Sequence, residues 1–135
     1  MIVLDASALV ELVLGTASGR GIAARVADPA VSLHAPHLAD VEVAQTLRRY
    51  TRDGELDAAA ARAALDDFRA LDLQRHAHEP LLDRVWELRE NLSVYDAVYV
   101  ALAEALDAVL LTCDGRLARA PSFAARVELV RPRPA

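Results

Sequence analysis

Short apolar runs set too far apart in the sequence to be hairpin partners constrain this chain most. Met1–Leu4 (MIVL), Val31–Ala35 (VSLHA), Asp72–Ala77 (DLQRHA), Ala108–Thr112 (AVLLT) and Arg126–Val130 (RVELV) read as strands. The segments between them carry helical periodicity. Ser7–Leu14 and Thr16–Ala27 read as helices, the second weakened by Gly19 and Gly21. Pro36 opens a helix to Arg52, since proline is accepted in a first turn. Asp57 caps a helix to Leu71 with Ala61, Leu65 and Phe68 on one face. From Pro80, the positions Leu81, Leu82, Val85, Trp86 and Leu88 mark another apolar face. Tyr95–Leu106 is apolar almost all round and is expected to be buried. Strands alternating with helices predict an α/β fold with a largely parallel sheet and right-handed connections.

At 135 residues the chain is expected to be one domain, 1–135, with about 131–135 a frayed tail. Hydrophobic residues make up 54% and aromatics only 4%, so the core has to be built from Ala, Leu and Val. The longest stretch without a charge, Pro29–Ala39, contains two prolines and cannot span a bilayer. Asp5 and Glu11 interrupt the apolar start where a signal peptide would tolerate no acid, so a cytoplasmic, membrane-free protein is expected. The single cysteine, Cys113, excludes an internal disulfide and reads as a small apolar filler. His34, His37, His76 and His78 show no zinc-binding spacing.

All 15 basic residues are arginine, which excludes a P-loop lysine, a Schiff-base lysine and the lysine of a receiver domain. A net charge of −5 argues against binding nucleic acid by electrostatics alone. A bound divalent cation would offset that local negative charge.

Three acids sit where a cation site would be built. Ligands of open α/β sheets bind beyond the carboxyl ends of the strands. Asp5 follows the first strand directly, and Asp114 follows the AVLLT strand by two residues. Asp96 lies in the first turn of the buried helix that feeds that strand. Each also has a structural explanation. Asp5 suits a helix cap, Ser93 and Asp96 form a capping box, and Asp114–Gly115 is a turn pair. Caps and turns have no reason to gather on one rim, however, and that shared position favours a site.

Together, "IVLDAS", "HLADVEVAQTLRR" and "SVYDAVYVALAEALDAVLLTCDGRLA" resemble the PIN-domain nucleases. More narrowly, they resemble the VapC-type toxin ribonucleases of bacterial type II toxin–antitoxin pairs. The resemblance covers essentially the whole chain. It implies a three-layer α/β/α sandwich on a mainly parallel five-stranded sheet. Its acidic site falls on Asp5, Glu42, Asp96 and Asp114, and its supporting hydroxyls on Ser7 and Thr112. It further implies Mg²⁺, with Mn²⁺ substituting, hydrolysis of RNA by a metal-activated water, a cognate antitoxin and a homodimer. Glu42 comes from the resemblance alone. Helical spacing puts Asp40 within an apolar arc of Val41, Val43, Ala44 and Leu47 and turns Glu42 away from it, whereas "EVAQTL" selects Glu42. A further acid that some relatives carry soon after the position of Asp114 is missing here until Glu128, which bears on a second metal. Arg48, Arg49, Arg52 and Arg116 are the candidates to meet RNA.

Two rival functions differ in class. A haloacid-dehalogenase-type phosphatase needs a second Asp where Ser7 stands, and a lysine. A catalytically silent module acting by protein binding needs the acids only as caps.

Overall fold

The computed structural model describes residues 1–119 and 125–132. Its strands are β1 (Ile2–Leu4), β2 (Leu33–Pro36), β3 (Leu73–His76), β4 (Val109–Thr112) and β5 (Val127–Leu129). Its helices are α1 (Ala6–Leu14), α2 (Ala17–Arg25), α3 (Leu38–Arg52), α4 (Ala58–Ala70), α5 (Leu82–Glu87), α6 (Val94–Leu106) and α7 (Gly115–Arg119). A 3₁₀ turn over Glu79–Leu81 leads into α5. Among these residues no helix is long and apolar enough to cross a membrane.

The strands form one sheet in the order β3-β2-β1-β4-β5, and every pairing is parallel. The mainly parallel sheet expected from the sequence is therefore wholly parallel. Helices cover it on both sides, giving the α/β/α sandwich. Because β1 pairs with β2 on one side and β4 on the other, the strand order reverses at β1. Such a reversal leaves a crevice beyond the carboxyl ends of the two central strands. The strands there are apolar up to Thr112 at the end of β4: Ile2, Val3, Leu4, Val109, Leu110 and Leu111 are all buried.

Several boundaries depart from the sequence expectations. Pro36 does not open a helix. It ends β2, in register with His76, and α3 starts at Leu38, whose amide donates to His78 Nε2 at 2.8 Å. Gly19 does not weaken α2 so much as permit it. A Cβ there would come to 1.9 Å from the Glu11 carbonyl oxygen, so α1 and α2 cross only because it is glycine. Trp86 is not on the buried face of α5; it is exposed, with the Arg89 guanidinium 4.6 Å from its ring centroid. Asp114–Gly115 is the start of α7, not an isolated turn. Of the expected tail, 133–135 lie outside the described residues, and Arg131 and Pro132 carry no regular structure.

Candidate active site

Asp5 is the centre of the crevice. Its backbone leaves β1, its amide donates to Leu111 O at 3.2 Å, and its side chain caps α1 by accepting from Ala8 N at 2.9 Å. Capping and a site role are thus not alternatives for this residue. The same carboxylate accepts from Ser7 Oγ on Oδ1 at 2.6 Å and from Thr112 Oγ1 on Oδ2 at 2.5 Å. Thr112 is fully buried at the end of β4, and its Oγ1 also accepts from Asp114 N at 2.9 Å. Ser7 Oγ accepts from Cys113 N at 3.0 Å. The two hydroxyls therefore stitch β1 to β4 and fix the Asp5 rotamer. Asp5 is only 6% exposed, and burial raises its carboxyl above the ordinary range against the pull of those donors.

The other three acids arrive from separate elements. Asp96 sits in the first turn of α6, where Ser93 Oγ accepts from its amide at 3.1 Å. Asp114 heads α7, its Oδ1 accepting from Arg116 N at 2.9 Å. One guanidinium nitrogen of Arg116 reaches Asp114 Oδ2 at 3.2 Å and Asp96 Oδ2 at 3.5 Å, so a cation already bridges those two carboxylates. Burial raises the carboxyl of Asp96, opposed by Arg116 and reinforced by Asp114. Burial likewise raises that of Glu42, with Asp96 and Asp5 adding to it. The fold thus brings Asp5, Glu42, Asp96 and Asp114 within electrostatic reach of one another.

Glu42 corrects the helical-wheel expectation. Asp40 is exposed and ion-paired to Arg75 at 2.7 Å, whereas Glu42 is half-buried and accepts from Tyr99 Oη at 2.6 Å. The buried face of α3 is Ala39, Val43 and Leu47. Val41 and Ala44, counted in the apolar arc, are exposed and had pulled the arc round the helix. Tyr99 was missed altogether. The available signal was a phenol in the run Ala97–Ala103 of α6, since a buried tyrosine hydroxyl needs a partner.

The four candidate arginines separate. Arg116 touches the acids. Arg49 lines a groove shared with Glu42 and Tyr95. Arg48 lines a different groove, between α3 and α4. Arg52 is exposed at the end of α3 and lines neither groove.

A hard divalent cation suits this donor set under one condition. Among the described residues, no three His, Cys, Asp or Glu side chains stand close enough to form a ready-made ligand sphere. The carboxylates line a rim instead of converging on one point. Mg²⁺ keeps several waters and binds through one or two carboxylates, which is what a rim of this kind accommodates. Asp5 Oδ1 has both acceptor positions filled, by Ser7 and Ala8, but Oδ2 accepts only from Thr112 and has one left. Burial raises the carboxyl pKa of three of these acids and neighbouring carboxylates add to it, and a dication would offset both.

Comparison with known proteins agrees with this architecture. The PIN-domain family model matches residues 2–122. Ribonuclease VapC1 of Mycobacterium tuberculosis is 43% identical over 130 residues, covering 96% of this chain and 97% of that one. Ribonuclease VapC9 of the same organism is 47% identical over 117 residues, covering 87% and 88%. The crystal structure of PAE2754 from Pyrobaculum aerophilum superposes with a TM-score of 0.69 at 27% identity, covering 93% of this chain and 81% of that one.

Proposed function

Because the chain belongs to the PIN-domain family, we propose that it is a divalent-metal-dependent endoribonuclease. We further propose that it is the toxin of a toxin–antitoxin pair, partnered by a cognate antitoxin and acting as a homodimer in the cytoplasm. The observation that carries the reading is the rim itself: four carboxylates from a strand end, the second turn of α3 and the starts of α6 and α7, with raised pKa values at Asp5, Glu42 and Asp96. The relatives named as VapC ribonucleases support the choice of RNA as substrate.

In this reading Mg²⁺, or Mn²⁺ in its place, neutralises charge on the scissile phosphate and supplies an activated water. The chain's own groups do the rest. Asp5, locked by Ser7 and Thr112, offers the free position on Oδ2 as the principal anchor for the cation. Asp96 and Asp114 would help hold the cation, and Arg116, which pairs with both of them here, would then be available to meet a phosphate oxygen. Tyr99 occupies Oε1 of Glu42 and leaves Oε2 to accept the proton of the attacking water.

A second reading, a silent module that works by protein binding, draws support from the lack of a ready-made ligand sphere among the described residues. Cleavage of total cellular RNA separates the two. Wild type is expected to cut with Mg²⁺ or Mn²⁺, to stop in EDTA, and to lose at least about 100-fold of its rate as Asp96→Asn. No cleavage with either metal would favour the silent module, and equal cleavage by Asp96→Asn would expose a contaminant.

A further inference from the structure

The rim acid Glu42 is set in place from two directions. Tyr99 Oη of α6 donates to its Oε1 at 2.6 Å, while its backbone goes wherever α3 goes. The buried face of α3, Ala39, Val43 and Leu47, is wholly apolar. Apolar burial is non-directional, so it decides which face of a helix turns inward better than how far the helix slides along its axis. Directional bonds at the helix start fix that second quantity.

Three such bonds come from one place, the edge strand β3 and its exit. His37 N donates to His76 O at 2.8 Å, Leu38 N to His78 Nε2 at 2.8 Å, and Arg75 Nε to Asp40 Oδ1 at 2.7 Å. The start of α3 does not cap itself. His37, which precedes it, has helical dihedrals (φ −52°, ψ −33°) and makes no side-chain cap, whereas a residue that caps with its own side chain is extended. The Leu38 amide is therefore answered from 40 positions away. Of the three bonds, the Arg75–Asp40 pair is partly exposed and contributes little, and the His76 contact is main-chain. That leaves His78 as the side chain on which the clamp depends. Its Nε2 accepts, which puts the ring proton on Nδ1, and its ring meets His37 edge-on with centroids 6.2 Å apart.

We propose that His78 is a positioning residue for Glu42: from the exit of the edge strand it holds the first turn of α3, and with it the carboxylate one turn on. Leu38 and Glu42 stand at i and i+4, about 6 Å apart along the axis, and both line the groove beside the rim. Holding the Leu38 amide sets the height at which Glu42 meets Tyr99. The consequence for cleavage rests on the ribonuclease reading above; the placement of Glu42 does not.

The test labels the three tyrosines of the full chain with ¹³C at Cζ and follows Tyr99, identified by the loss of its signal in Tyr99→Phe, with neither metal nor RNA present. Glu42→Gln marks where the signal lies once the carboxylate is gone. His78→Ala is expected to move it toward that position. His78→Gln, whose amide oxygen takes the place of Nε2, should leave it near wild type. His78→Phe keeps a ring without an acceptor and should act as His78→Ala does, which covers the case of an alanine variant that fails to fold. The Leu38 amide should exchange roughly 2- to 10-fold faster in the Ala and Phe variants, the range for one lost hydrogen bond. With Mn²⁺, cleavage of total cellular RNA should fall roughly 10- to 100-fold in both and recover to within about threefold in His78→Gln.

A Tyr99 signal unmoved in both His78→Ala and His78→Phe would overturn the proposal, because the bond would then only steady the helix. An equal shift in His78→Gln would overturn it as well, since the ring and not the acceptor would matter. If Tyr99 responds as expected and wild type cuts no RNA, the ribonuclease reading falls and the clamp stands. If wild type cuts RNA and Tyr99 does not respond, the clamp alone falls.

Discussion

Two polar clusters share the sheet, and they are built in opposite ways. On β2 and β3, His34 Nε2 meets Ser32 Oγ at 2.8 Å while its Nδ1 meets His76 Nε2 at 2.9 Å, and His78 Nε2 accepts from Leu38 N. Each of these contacts is completed inside the fold. At the ends of β1 and β4 the carboxylates are held in place by hydroxyls and burial, but they repel one another. A cluster answered by its neighbours supports the fold. One that faces like charges costs stability and calls for an outside partner.

The sharpest way to break this comparison is to remove one member from each side and measure urea denaturation in EDTA. His34 is 4% exposed, so His34→Ala leaves a cavity with Ser32 and His76 unpaired, and a loss of about 2–4 kcal/mol is expected. Asp96→Asn should cost no more than about 0.5 kcal/mol and is expected to stabilise instead, because it removes a carboxylate whose burial outweighs its attraction to Arg116. Equal losses would erase the distinction.

Adding the missing partner should act on one cluster only. Mn²⁺ at a hundredfold excess over its Kd is expected to stabilise wild type by about 2.7 kcal/mol, with the gain absent in Asp96→Asn and retained in a His34 variant. Thermal unfolding with and without Mn²⁺ reads it.

Acidity separates the clusters by sign. Asp5, Glu42 and Asp96 titrate above the ordinary 3.8–4.5, so through that raised window the folded chain holds more protons than the unfolded one. Stability from the rim therefore falls as pH rises through it. Burial and His76 lower His34 below 6.5, so the histidine contribution is lost as pH falls through 6.5. In EDTA the two slopes oppose each other. Asp96→Asn should flatten the first and His34→Ala the second, and a pH series of denaturation midpoints distinguishes them.

The smallest effect belongs to the one link that answers a rim acid with a buried phenol. Tyr99→Phe frees Glu42 Oε1 and is expected to cost about 1 kcal/mol or less, with cleavage reduced several-fold. An unchanged rate would remove Tyr99 from the positioning of Glu42.

The fold was legible because the central strands are apolar without interruption, and strand runs that far apart require helical crossovers. Asp5 and Asp114 were legible as strand-end acids, and Asp96 as a carboxylate in a helix with no polar face. Glu42 was not, because Val41 and Ala44 are apolar residues that the fold leaves exposed. Periodicity reads composition, not the neighbour a residue will meet. Helix α7 is too short for any period to register, and Asp-Gly looked like a turn. The histidine cluster was hidden for a different reason: its partners stand 42 positions apart and meet only through strand pairing.

Asp5 completes a strand, starts a helix and faces the crevice with the same carboxylate. In a selection for cells that survive expression of this chain, substitutions at Asp5 and Asp96 should escape by different routes. Asp96 changes would accumulate as full-length, folded protein, whereas Asp5 changes would surrender a helix start as well and be cleared by proteases. The amount of chain left in each survivor would separate a broken tool from a broken handle.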